Sequence, residues 1–169
     1  LSPELIREHR DISIVYTPLH GTGATMVPRC LENFGFTNIS LVDEQAIPDG
    51  NFPTVKSPNP EEASALEMAI NKAEKEGASL VMATDPDADR VGIAVKDHHG
   101  KFVLMNGNQT ASVLLYYIFR KWYENGKISG KEFMVKTIVT SELLIDLAKK
   151  YGIETYDVLT GFKWIADII

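Results

Sequence analysis

Residues 80–95 read Leu-Val-Met-Ala-Thr-Asp-Pro-Asp-Ala-Asp-Arg-Val-Gly-Ile-Ala-Val, with three aspartates, Asp85, Asp87 and Asp89, at alternate positions followed by Arg90. On a helix this spacing would spread the carboxylates around the axis. In a tight loop they converge, and converging anions repel strongly unless a cation sits among them. Carboxylate oxygens suit a hard divalent ion, Mg²⁺ first and Mn²⁺ or Ca²⁺ next. Mg²⁺ completes its octahedral shell with water or phosphate, so a three-carboxylate site points to a metal that handles a phosphorylated group. Arg90 adds a planar fork for phosphate or carboxylate beside it.

Other uses of such a loop are separable. A solvated acidic turn needs only Asp and Pro as turn formers, without the flanking apolar runs. An EF-hand requires Gly at loop position six and Glu at twelve, where this chain has Arg90 and Lys96. A haloacid-dehalogenase-type phosphatase places Asp-x-Asp after a strand, with the first carboxylate, here Asp85, as nucleophile. That family usually carries Thr or Val where Asp89 stands, which leaves it as the alternative.

Further candidates lie elsewhere. Gly21 and Gly23 sit between a strand and a helix, where amides can hold phosphate. The dinucleotide pattern fails because Met26 occupies the place of its third Gly, and glycines serving a tight turn explain the pair equally well. His20 in that turn either touches ligand or braces the loop. Lys163, in Thr160-Gly161-Phe162-Lys163-Trp164, is a cation at a helix start after a Gly turn. It suits a substrate-phosphate contact, a proton-transfer lysine or an ordinary surface residue. Lys136 reads as a strand-edge lysine open to solvent or to a ligand. His98 and His99 beside Gly100 suit an exposed turn.

Strands and helices must hold these residues. The apolar run 80–83 suits a strand covered on both faces. Pro86 holds Asp85 extended, and Val91, Ile93 and Val95 alternate as the inward side of a second strand. Upstream, Ser2-Pro3-Glu4 starts a helix to about Arg10, and residues 12–17 form a strand. A helix follows with Val27, Leu31 and Phe34 on one face; Pro28 requires it to begin near Thr25, where amides need no internal partner. Residues 39–42 form a strand, and 43–59 a long polar stretch of the kind that is more often functional than idle. Asn59-Pro60-Glu61-Glu62 opens a helix with Leu66, Ile70 and Ala73 inward, stopped by Gly77. After a short strand at 101–104, Asn106-Gly107-Asn108 marks a boundary. Beyond it come a helix whose core stripe runs through Leu114, Tyr117, Ile118 and Trp122, a strand at 133–139, a helix capped by Ser141, a strand at 153–159 and a helix from Trp164. The alternation predicts α/β architecture, layered α/β/α domains with mixed, largely parallel sheets. The first domain spans 1–105 and a truncated second one 106–169.

Composition fits a packed core: 44% of the 169 residues are hydrophobic and 24% charged. A net charge of −6 without a basic run argues against nucleic acid and anionic membrane as partners. The apolar stretch 113–119 is too short to span a bilayer. The single Cys30 excludes an internal disulfide, and a reducing cytoplasm is the expected setting. The start at Leu1 without Met and the stop at Ile169 within a helical run lead us to expect a piece of a longer protein.

The loop Asp85-Pro86-Asp87-Ala88-Asp89-Arg90 resembles the metal-binding loop of the α-D-phosphohexomutases, the phosphoglucomutase/phosphomannomutase family. Thr17-Pro18-Leu19-His20-Gly21-Thr22-Gly23 and Pro48-Asp49-Gly50-Asn51-Phe52-Pro53, running on to Ser57-Pro58-Asn59-Pro60-Glu61-Glu62, resemble its second domain, especially in the phosphoglucomutase/phosphopentomutase branch. Residues 160–163 resemble a third-domain loop whose basic side chain enters the active-site cleft. The resemblance implies an isomerase that moves a phosphoryl group between the 1- and 6-positions of a hexose phosphate, or a pentose phosphate, through a bisphosphorylated intermediate. Mg²⁺ would be held by Asp85, Asp87 and Asp89, and substrate by Arg90 and Lys163. The family's phosphoserine lies in a first-domain Thr-x-Ser-His-Asn-Pro-like loop, and none of the nine serines here precedes His. The nucleophile, and the rest of the catalytic cleft, would come from missing domains of the same chain, leaving this piece inactive alone. A non-catalytic divalent-binding module is the third reading.

Overall fold

The computed structural model describes residues 2–169, and its elements divide into two compact units, Leu1–Asn106 and Gly107–Ile169. In the first unit five strands, β1 (Ile14–Thr17), β2 (Ile39–Leu41), β3 (Leu80–Thr84), β4 (Val91–Lys96) and β5 (Phe102–Met105), form one sheet in the order β2-β1-β3-β4-β5. β1 runs parallel to β2 and β3, while β4 and β5 are antiparallel additions. Helices α1 (Pro3–Glu8), α2 (Gly23–Phe34), α3 (Asp43–Ala46) and α4 (Ala63–Glu76) complete the unit.

Helix α4 covers the sheet face that carries Val15, Val81, Ala83 and Ala94, bringing Ala65, Leu66, Ala69 and Ala73 into one fully buried cluster. Small residues let helix and sheet approach closely, and a buried Leu66 contributes roughly 1.5–3 kcal/mol over exposure. Helix α2 starts on the opposite face, where Gly23 meets the Tyr16 hydroxyl and Thr84. A Cβ at Gly23 would overlap that hydroxyl, so any larger residue here forces the buried Tyr16–Thr84 pair to shift.

Several expectations change here. In β4 the fully buried residues are Gly92 and Ala94, while Val91 is exposed and Ile93 and Val95 half-buried. The reason is steric: a Cβ on Gly92 would run into the Pro60 carbonyl, so the small-residue face takes the tight side. Helix α2 begins at Gly23 rather than Thr25, which leaves Pro28 inside the helix, past its first turn. Phe34, expected inward, is exposed. The polar stretch contains the short helix α3 with Gln45 fully buried. Residues 59–62 form an Asx turn, with the Glu61 N–H on Asn59 Oδ1 at 3.1 Å, so α4 starts only at Ala63.

The second unit pairs β6 (Phe133–Thr137) in parallel with β7 (Glu154–Val158) and adds α5 (Gly107–Glu124), α6 (Leu143–Lys150) and α7 (Phe162–Ala166). Its core is Phe119, Met134, Leu144, Ala148 and Ile153. The stripe expected on α5 is rotated: Leu114, Ile118 and Trp122 are exposed, whereas Thr110 and Phe119 are buried. That helix is apolar on more than one side, so period alone selected the wrong line. No helix among the described residues is long and apolar enough to cross a membrane.

Candidate functional site

The acidic loop begins where the β3–β4 ladder ends, at the Thr84–Val91 pair. The Asp85 N–H donates to the Arg90 carbonyl (3.4 Å), and the Ala88 N–H donates to the Asp85 carbonyl (3.0 Å), curling the loop back on itself. The turn is completed by Ala88 at φ 61°, a left-handed conformation that costs a non-glycine residue about 1 kcal/mol. The result is convergence: Asp85, Asp87 and Asp89 each place a carboxylate oxygen within 4.8 Å of the others.

The three are not equivalent. Asp85 is 1% exposed. Its Oδ1 accepts the Arg90 backbone N–H (2.9 Å) and its Oδ2 the Arg90 Nε–H (2.8 Å). Burial pushes the Asp85 carboxyl up, but the hydrogen bonds from Arg90 and the guanidinium charge outweigh it and hold the group below the usual carboxylate range. Asp87 and Asp89 are exposed. The Asp87 charge, followed by slight burial and Asp85, pushes Asp89 above the ordinary value. Arg90 Nε lies 3.9 Å from Asp89 Oδ1, and its side chain remains half exposed. One guanidinium faces three carboxylates, an imbalance that a divalent ion would relieve, and the oxygen-only donor set fits Mg²⁺.

Beneath this loop lies the turn after β1. Leu19 and His20 both adopt positive φ, 47° and 63°, and both are buried. A directed chain of hydrogen bonds holds them. Thr17 Oγ1–H donates to Gln45 Oε1 (2.6 Å), and Gln45 Nε2–H donates to Thr54 Oγ1 (3.0 Å). The Thr54 hydroxyl hydrogen is then left for His20 Nε2 (2.8 Å), while His20 Nδ1 faces the Ile47 carbonyl (3.0 Å). A carbonyl only accepts, so Nδ1 is the ring nitrogen that donates to it. Both ring nitrogens are engaged, and His20 braces the loop. The Gly21 N–H goes to Pro18 O and the Thr22 N–H to Pro86 O, each at 2.8 Å. Those amides serve the turn and its neighbour, not a phosphate.

The basic candidates of the second unit differ from each other. Lys163 is exposed on the first turn of α7, after Gly161 at φ 115°, with Nζ 4.9 Å from the Trp164 ring centroid. Lys136 is buried rather than solvated: Nζ donates to Glu142 Oε1 (3.0 Å), Asp157 Oδ2 (3.1 Å) and Thr140 O (3.2 Å). Burial pulls its pKa down, but the two carboxylates more than compensate and raise it. It clamps β6, β7 and the following loop. Sequence reasoning did not find Thr22, Gln45 and Thr54, whose roles depend on partners at scattered positions; only the glycines around Thr22 hinted at a close approach.

Residues 4–100 match the phosphoglucomutase/phosphomannomutase alpha/beta/alpha domain II, and residues 106–169 match domain III of the same family. A phosphoglucomutase of Staphylococcus aureus (strain USA300) is 42% identical over 159 residues, which is 94% of this chain. The chain spans 28% of that relative's length. A crystal structure from Thermus thermophilus, described as that of a phosphomannomutase, superposes with a TM-score of 0.72 at 26% identity, covering 98% of this chain and 37% of that one. N-acetylphosphoglucosamine mutase of Aspergillus fumigatus, solved with GlcNAc-6P and magnesium, shares the fold at a TM-score of 0.59 and 16% identity, over 92% of this chain and 30% of that one. The matched domains cover both units, and the chain belongs to the phosphoglucomutase/phosphomannomutase family.

Proposed function

We propose that this chain supplies the metal-binding loop of a phosphosugar mutase that interconverts hexose 1-phosphate and hexose 6-phosphate through a bisphosphorylated intermediate. The family's domains II and III would meet at residues 105 and 106. The observation that carries the reading is the convergence of Asp85, Asp87 and Asp89 within 4.8 Å, with Arg90 alongside, in a chain of this family. These three residues would hold Mg²⁺, the ion present in the A. fumigatus mutase complex. Bound there, the ion offsets charge on a transferring phosphoryl group.

The chain's own residues set the stage for that transfer. Arg90 anchors the buried Asp85 through Nε and, half exposed, presents guanidinium to an incoming phosphate. Lys163, on an exposed turn, supplies a second cation for the sugar phosphate. No serine here precedes His, so the phosphoserine comes from other parts of a full-length protein. Asp89, standing where the phosphatase family usually carries Thr or Val, disfavours the alternative in which Asp85 would attack phosphorus. Calorimetric titration with MgCl₂ tests the site: Asp87→Asn removes a negative ligand and weakens binding, and unchanged binding would sink the triad. The 169-residue chain alone is expected to show no mutase turnover; measurable turnover would show that no outside phosphoserine is needed.

A further inference from the structure

We propose that Gly21 and Thr22 are positioning residues for the acidic loop, acting on the Pro86 carbonyl; this rests on reading Asp85, Asp87 and Asp89 as a divalent-ion site. Pro86 stands between two of those ligands and has no N–H of its own with which to anchor the backbone. Its carbonyl is instead gripped from outside, by the Thr22 N–H at 2.8 Å and the Thr22 Oγ1–H at 3.0 Å. Two donors fill the two lone pairs of one oxygen. Gly21 lets this happen, because a Cβ there would overlap the Cα, C and O of Pro86.

The gripping turn is itself fixed. The His20 N–H donates to Gln45 O (2.8 Å), and the His20 ring is tied to Ile47 and Thr54. By contrast, the loop bonds Ala88 to Asp85 and Arg90 to Asp85 stay within the loop. They set its shape but not its place against β1. Divalent ligands must be held to within about half an ångström of their productive positions, and Mg²⁺ tolerates little departure from octahedral geometry. A loop released from Thr22 would keep its carboxylates and lose affinity.

Thr22 is exposed, so changing it creates no core cavity, and Thr22→Val keeps the shape while deleting the hydroxyl donor. Titration of the chain with MnCl₂ should show Thr22→Val binding about two- to tenfold more weakly, the span of one net hydrogen bond, with Thr22→Ser near the unsubstituted chain and thermal midpoints close together. Gly21→Ala should weaken binding further; because its Cβ can also unfold the region, Thr22 carries the decision. Equal Mn²⁺ affinity of Thr22→Val and the unsubstituted chain would overturn the proposal. Should the unsubstituted chain bind no Mn²⁺, the metal reading fails on its own. Anchorage is then read from amide exchange at Ala88 and Asp89 without metal: faster exchange in Thr22→Val upholds it, and unchanged exchange overturns it.

Discussion

Two charged clusters, one on paired strands and one in a loop, treat their charge in opposite ways. At β6 and β7, which pair Lys136 directly with Asp157, one buried ammonium meets two carboxylates and two carbonyls, and every donor is used. After β3, three carboxylates gather around one guanidinium, and two of them stand in solvent pushing against each other. The first cluster closes on itself and serves the fold. The second carries an uncompensated negative charge on a backbone bent through a left-handed alanine, an arrangement that gains stability only from something added. Charge left unbalanced on a braced loop, more than the mere presence of charge, separates a binding site from a structural clamp.

Asp85→Ala gives the largest break in that comparison, because Asp85 belongs to both kinds of cluster. It is buried and paired like Lys136, yet converges with exposed acids. Removing it should cost about 1–3 kcal/mol in urea unfolding, the range for loss of hydrogen bonds to a charged group, and abolish Mg²⁺ binding. A variant of undiminished stability would show that the Arg90 contacts contribute nothing.

Lys136→Met should lower the thermal midpoint by several degrees while leaving Mg²⁺ affinity untouched. A change in affinity would mean that the two clusters communicate. The pH dependence has a definite sign. The folded pKa of Lys136 is raised, so its contribution is complete below the ordinary lysine value of about 10.4 and disappears as pH climbs through the folded value. The Met variant should therefore lack that alkaline loss.

The strand–loop–strand unit around Asp85 was legible because Pro86, the short apolar run and the alternation after Arg90 all carry local signals. The side chosen for β4 was not, since Gly92 is forced inward by Pro60, more than thirty residues away in sequence. Pro28 misled as well: the helix starts at Gly23 and carries Pro28 inside it, against the local preference for a later start. Lys136 read as a strand-edge lysine, open to solvent or to a ligand, because Glu142 and Asp157 become its neighbours only in the folded chain. Residue type revealed the chemistry of the acidic loop, whereas the turn that holds it, His20 to Thr22, is defined by contacts that no spacing encodes.

Asp89→Asn gives the smallest effect and the sharpest sign. Repulsion from Asp87 raises the folded pKa of Asp89, so the favourable contribution of its neutral form is full below the ordinary value of about 3.9 and is lost as pH rises through the folded value. At neutral pH the ionised group therefore works against the metal-free fold. Asp89→Asn should make the metal-free chain slightly more stable at pH 7, and that advantage should shrink to nothing as the pH drops below about 4. Asp85 behaves oppositely: its folded pKa is lowered, so its contribution holds above the ordinary carboxyl range and fades as pH falls through the folded value. With Mg²⁺ present the ranking of Asn and Asp at position 89 should reverse, because the carboxylate that destabilises the empty loop becomes a ligand. Thermal melts of both chains with and without MgCl₂ read this directly, and a variant less stable than the parent in EDTA would show that the loop's acids are already balanced without an ion.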